Sequence, residues 1–81
     1  MKAMLRAYIL ISAAPGETAK VLAGLRNLPS LVELREVMGP YDIVAIIEVS
    51  SLTEVPPLLG GQIRSIPGVS HTTTLVAFPA V

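Results

Sequence analysis

The segment Leu28-Pro29-Ser30-Leu31 is repeated later in the chain as Ile66-Pro67-Gly68-Val69, and the two prolines lie 38 residues apart (67 − 29). The same offset places Ile9-Leu10-Ile11-Ser12 onto Ile47-Glu48-Val49-Ser50. Two copies are too few for a solenoid, which needs at least three repeats to bury a continuous core. They are typical of a strand–helix–strand unit that is used twice. The sequence therefore predicts one α+β domain, over residues 1–81, with the element order βαββαβ.

Local signals place the six elements within the two copies. Runs of β-branched and aliphatic residues, and one run that alternates apolar with charged residues, predict four strands over 5–12, 31–38, 42–49 and 69–78. Apolar residues at helical spacing predict a first helix from Glu17 to Leu28, where Pro29 stops it.

The second helix is expected to be kinked or shortened. Its apolar stripe runs from Val55 to Ile66, and Ser51 and Glu54 have the spacing of a capping box. Pro56, Pro57, Gly60 and Gly61 lie inside the same stretch. Each of these residues costs about 1–3 kcal/mol in a helix interior.

The strands differ in ways that predict their places in the sheet. Right-handed crossovers in a doubled βαβ unit put the first and third strands in the centre. The alternation in the second strand predicts an edge position, with Val32, Leu34 and Met38 on one face and Glu33 and Arg35 on the other. Both helices would cover one face of the sheet, and the opposite face is apolar. Large apolar patches mark interfaces, so we expect this open face to form a dimer.

The composition limits the classes of function. Hydrophobic residues make up 52% of the chain and charged residues 15%, which is more apolar surface than so small a domain buries within itself. Six basic and six acidic residues cancel, which argues against direct binding to nucleic acid or to an anionic membrane. The sequence contains no cysteine, which excludes disulfides and thiolate chemistry and fits a cytoplasmic protein.

Few residues offer catalytic or metal chemistry. His71 is the single histidine, and the sequence gives it no cysteine and no second histidine with which to bind a metal. Ser70, His71 and Asp42 lack the Gly-x-Ser-x-Gly motif that presents a nucleophilic serine. We therefore expect no metal, no cofactor and no catalytic site.

Two features remain as candidate binding elements, the turn Gly39-Pro40-Tyr41-Asp42-Ile43 and the run Thr72-Thr73-Thr74 in the last strand. Each has a structural explanation, because aspartate is common in turns and threonine suits strands. Together they supply a carboxylate for an ammonium group and hydroxyls for a carboxylate. This is the charge pattern of an amino-acid zwitterion.

At these residues the chain resembles the effector-binding domain, or RAM domain, of the Lrp/AsnC transcriptional regulators. The matching segments are Tyr8-Ile9-Leu10-Ile11, Gly39-x-Tyr41-Asp42-Ile43, Ile63-Arg64-x-Ile66-Pro67-Gly68-Val69 and Thr72-Thr73-Thr74-Leu75. The resemblance implies a ferredoxin-like fold with a four-stranded antiparallel sheet, dimers that pack sheet on sheet, and rings such as octamers or decamers. Regulators of this family carry an N-terminal helix-turn-helix domain, whereas this chain resembles the stand-alone type.

The resemblance also implies a ligand site. The effector, usually an amino acid, would contact Gly39, Tyr41 and Asp42 in the turn and Thr72 and Thr74 in the last strand. Asp42 would bind the ammonium group, and Thr72 and Thr74, on one face of the strand, would bind the carboxylate, while Thr73 points to the other face.

Three functions follow as alternatives. The first is a non-enzymatic amino-acid-responsive module that also modulates full-length Lrp/AsnC regulators by co-assembly. The second is a small enzyme of the dimeric α+β barrel type, monooxygenase-like or isomerase-like, in which His71 and Asp42 would have to serve the chemistry. The third is a structural oligomer without a ligand.

Overall fold

The computed structural model describes residues 4–78. The elements follow the predicted order: β1 (Leu5–Ala13), α1 (Thr18–Leu25), β2 (Leu31–Glu36), β3 (Ile43–Val49), α2 (Val55–Leu58) and β4 (Val69–Ala77). A 3₁₀ turn (Leu52–Glu54) precedes α2, and a π-helical turn (Leu59–Ile63) continues it. The predicted βαββαβ order is confirmed.

The four strands form one antiparallel sheet in the order β2-β3-β1-β4. The central places of β1 and β3 and the edge places of β2 and β4 are as predicted. The internal repeat sets the starting points of the strands, because β1 and β3 begin at Leu5 and Ile43, and β2 and β4 at Leu31 and Val69. Both pairs of first residues are separated by the same 38 positions as the prolines.

The core lies between the helices and one face of the sheet. Every second residue of the central strands is buried there, and both helical segments add apolar side chains to the same cluster. The buried residues are Ala7, Ile9, Ile11, Val21, Leu25, Leu28, Ile43, Ala45, Ile47, Val49, Val55, Leu58 and Ile63. Both helices therefore cover one face, and no other element in residues 4–78 covers the opposite face.

The uncovered face of the sheet has an apolar centre. We call the surface formed by Tyr8, Leu10, Val44, Ile46 and Leu75 the open face. The first four residues are half-buried by their neighbours, and Leu75 is 53% exposed. Ion pairs border this surface, with Arg6 Nε 2.9 Å from Glu48 Oε2 and Arg35 Nε 3.2 Å from Glu33 Oε2. An apolar centre with a charged border is typical of a protein interface.

The second helical segment is short and irregular, as predicted. Pro56 and Pro57 occupy its first turn, where the missing backbone N–H groups cost no hydrogen bond. Gly60 and Gly61 lie in the wider π-helical turn that follows. The predicted capping box is displaced by one residue, because the Glu54 carboxylate accepts a hydrogen bond from Ser50 N at 3.0 Å. Ser51 Oγ accepts one from Thr53 N at 3.3 Å.

A bulge changes the alternation along the edge strand β2. In β2 the register shifts between Leu31 and Glu33, so Leu31 and Leu34 pack against the core and Val32 is 44% exposed. The prediction that Val32, Leu34 and Met38 share one face is therefore wrong, because an extra residue reverses the side-chain alternation. Met38 lies beyond the end of β2 and is exposed.

Candidate functional site

The turn between β2 and β3 is shaped by a glycine. Gly39 has a φ of +134°, a backbone conformation that residues with a Cβ rarely adopt. No heavy atom lies within 4 Å of the position that its Cβ would occupy. Backbone geometry alone therefore accounts for glycine here. The turn is closed by Val37 N, which donates to Asp42 O at 2.8 Å.

Asp42 is held at the end of the sheet by its backbone and by its side chain. Its backbone N donates to Ile11 O at 2.9 Å, and its Oδ2 accepts from Ala13 N at 2.8 Å. The residue is half-buried. These bonds fasten the turn to β1 and give Asp42 a structural role. Within residues 4–78, Oδ1 takes part in no hydrogen bond, so one carboxylate oxygen remains for a ligand.

Tyr41 connects the turn to the last strand. Its hydroxyl lies 2.7 Å from Thr73 Oγ1. Because β1 separates β3 from β4, the Tyr41 side chain crosses β1 to make this contact. Thr73 pairs with Leu10 and therefore points to the open face. The turn and the threonine run thus meet through Thr73, and not through Thr72 or Thr74, the two threonines expected at the ligand site.

Thr72 and Thr74 share the face of the sheet that carries the helices, because they pair with the buried Ile11 and Ile9. Both threonines are half-buried. Arg64 Nε donates a hydrogen bond to Thr72 Oγ1 at 3.3 Å. No sequence pattern assigns a role to Arg64, although it is the single Lys or Arg residue after Arg35.

Asp42 and Thr72 flank the same residue of β1. Asp42 bonds to Ile11 from the side of β3, and Thr72 pairs with Ile11 from the side of β4. Adjacent strands are about 4.8 Å apart. The candidate site therefore spans the end of the sheet, with a carboxylate at one side and a guanidinium at the other.

Charges elsewhere in residues 4–78 are mostly paired on the surface. The hydrogen bond and attraction of Glu48 raise the pKa of Arg6 above its ordinary value. No group of three or more His, Asp or Glu side chains in this part of the chain could hold a metal ion. His71 pairs with Ser12 in the sheet. None of the helices between residues 4 and 78 is long and apolar enough to cross a membrane.

The family profile of the Lrp/AsnC ligand binding domain matches residues 6–81. The chain belongs to this family. Its sequence is 36% identical, over 70 residues, to the HTH-type transcriptional regulator FL11 of Pyrococcus horikoshii, and the match covers 86% of this chain and 46% of the relative. The chain thus spans about half the length of that regulator.

Two solved structures place this Lrp/AsnC domain among known folds. The structure of TTHA0845 from Thermus thermophilus superposes with a TM-score of 0.89 at 31% identity, covering 95% of this chain and 96% of that one. A feast or famine regulatory protein (Rv3291c) from M. tuberculosis, complexed with L-methionine, superposes with a TM-score of 0.80 at 22% identity. That match covers 94% of this chain and 51% of the other. At this identity the second likeness supports the fold alone.

Proposed function

We propose that this Lrp/AsnC domain is a non-enzymatic regulatory module that binds a free amino acid. The main support is that a partly unengaged carboxylate, at Asp42, and the threonine-rich last strand lie on the two sides of Ile11 at one end of the sheet. The family is named for ligand binding, and a related fold was solved with L-methionine. The alternative of a small barrel enzyme needs His71 and Asp42 to act together. They lie on opposite sides of β1, where His71 pairs with Ser12 and Asp42 Oδ2 accepts from Ala13 N.

In this proposal the two ends of the zwitterion are bound by different elements. Oδ1 of Asp42 accepts a hydrogen bond from the ligand ammonium group, while Oδ2 stays bound to the backbone. The hydroxyls of Thr72 and Thr74 donate to the ligand carboxylate. Gly39 and Tyr41 shape and fasten the turn that holds Asp42. A half-buried carboxylate gains from such a partner because a charge-assisted hydrogen bond is about twice as strong as a neutral one.

The open face provides the second part of the proposal. A centre of five apolar side chains is too large to be left in water at no cost. Two copies of the domain would cover these surfaces by packing sheet on sheet, with the ion pairs Arg6–Glu48 and Arg35–Glu33 at the border. A C2 dimer uses the same patch on both subunits, so a self-complementary apolar surface suits this symmetry. Dimers of this kind could assemble further into rings or with full-length regulators of the family.

Calorimetric titration tests the ligand site. The wild-type domain and Asp42→Asn are each titrated with the twenty amino acids. The Asn side chain can still accept the bond from Ala13 N, so the substitution removes the charge while keeping the tether. We expect binding of at least one amino acid, weakened about ten- to hundredfold in Asp42→Asn, because a hydrogen bond to a charged group contributes about 1.5–3 kcal/mol. Equal affinity in both proteins would refute the role of Asp42.

Co-assembly has a separate test. The domain is co-expressed with a full-length Lrp/AsnC regulator from the same organism, and the complexes are analysed by native mass spectrometry. Mixed oligomers are the expected result. Finding only separate homo-oligomers would remove this part of the proposal.

A further inference from the structure

A cleft of about 250 Å³ lies beside β4 and is lined by Arg64, Val69, Ser70, His71 and Thr72. Arginine contributes a fixed positive charge to this lining, and none of the five residues carries a carboxylate. The cleft is therefore suited to an anion rather than to a cation.

Arg64 is the charged group of the cleft and has no acidic partner within residues 4–78. In that part of the chain, three basic side chains form ion pairs, namely Arg6, Lys20 and Arg35. Arg64 and Arg26 form none there. Arg64 differs from Arg26 because it lines the cleft and its Nε is fixed by the bond to Thr72 Oγ1. The two terminal nitrogens of the guanidinium, with four N–H donors, remain for another acceptor.

The backbone around the cleft departs from regular structure on both sides. The π-helical turn before Arg64 is closed by Arg64 N, which donates to Leu59 O at 2.8 Å. A turn of this kind often lies at a functional site. On the other side, the register of β4 shifts between its contacts with Ser12 and Ala13. Ser70 is the extra residue of this bulge, and its Oγ donates to Ser12 O at 3.0 Å.

We infer that Arg64 binds the carboxylate of the amino acid ligand in this cleft, and that Thr72 shares in the contact. The inference rests on the function proposed above and names the group that selects ligands with a free carboxylate. A guanidinium presents parallel N–H donors that match the two oxygens of a carboxylate. Thr72 Oγ1 accepts from Arg64, so its own hydroxyl hydrogen points away and can be donated to the same ligand.

The test is a calorimetric cycle with three proteins and two ligands. Wild type, Arg64→Gln and the control Arg26→Gln are titrated with the tightest-binding of the twenty L-amino acids and with the carboxamide of that amino acid. We expect Arg64→Gln to weaken amino-acid binding about ten- to hundredfold. The carboxamide, which lacks the charge, should bind wild type and Arg64→Gln equally. Arg26→Gln should behave as wild type with both ligands.

Two results would overturn the inference while leaving the proposed function intact. One is unchanged amino-acid affinity in Arg64→Gln. The other is an equal loss for the amino acid and its carboxamide, which indicates a purely structural role. If no amino acid binds wild type, the proposed function fails. Titration with acetate and inorganic phosphate then tests separately whether the cleft binds an anion. Anion binding that Arg64→Gln abolishes would support the anion site, and no anion binding to wild type would refute it.

Discussion

Substitution of Asp42 separates its structural role from its proposed role toward a ligand. In Asp42→Ala, without ligand, Ala13 N loses the acceptor that lies 2.8 Å away. An unsatisfied buried donor costs about 1–3 kcal/mol. Ala13 is half-buried, and water that replaces the carboxylate recovers part of this cost. We therefore expect a loss of about 1–2 kcal/mol in the free energy of unfolding. For a domain of this size that lowers Tm by about 4–16 °C.

Asp42→Asn should lose less stability, because the amide oxygen can still accept from Ala13 N. Thermal unfolding followed by circular dichroism gives the Tm of wild type, Asp42→Ala and Asp42→Asn. All three are measured at one protein concentration, since dissociation of oligomers also shifts Tm. Glu36→Ala serves as the control, because Glu36 is an exposed carboxylate near the end of β2. An unchanged Tm in Asp42→Ala, or equal losses in the Ala and Asn variants, would refute the tether between Asp42 and β1.

Three further outcomes are expected. Gly68→Ala should lower the free energy of unfolding, measured in urea, by about 1–3 kcal/mol. Gly68 has a φ of +102°, and the Cβ of an alanine would lie 2.9–3.0 Å from side chains of α1 and of the turn before it. Tyr41→Phe should cost about 0.5–1.5 kcal/mol, with no additional loss when Thr73→Val is combined with it. Leu75→Glu should dissociate the proposed dimer in light scattering, whereas Leu52→Glu, a control of similar exposure, should leave it intact. A Leu75→Glu dimer as stable as wild type would exclude the open face as the interface.

The fold was predictable because its signals are local and repeated. The 38-residue offset fixed the number of strand–helix–strand units, and the starts of the strands follow it in the structure. The double proline and double glycine in the second copy predicted an irregular second helix, since their effect depends on backbone chemistry alone. The apolar content of both central strands predicted a sheet with two apolar faces.

The details of the candidate site depend on contacts between distant residues. Alternation along a strand shows which threonines share a face, but it does not show that Tyr41 reaches across β1 to Thr73. The bulge at Val32 reverses the faces to which the side chains at the start of β2 point, because one extra residue shifts the alternation. Composition gives no signal of this extra residue. The contact made by Arg64 is not predictable from the sequence for a related reason. Its position over Thr72 is set by the π-helical turn, whose width the sequence did not predict.

The most direct test of the proposed amino-acid binding is a thermal-shift panel of the twenty amino acids on the wild-type domain. A ligand present at one hundred times its dissociation constant stabilises a protein by about 2.7 kcal/mol, which corresponds to a rise in Tm of about 10–20 °C for this length of chain. We predict such a rise with a small subset of the twenty. A folded, cooperative protein whose Tm changes with none of them would contradict the proposed function.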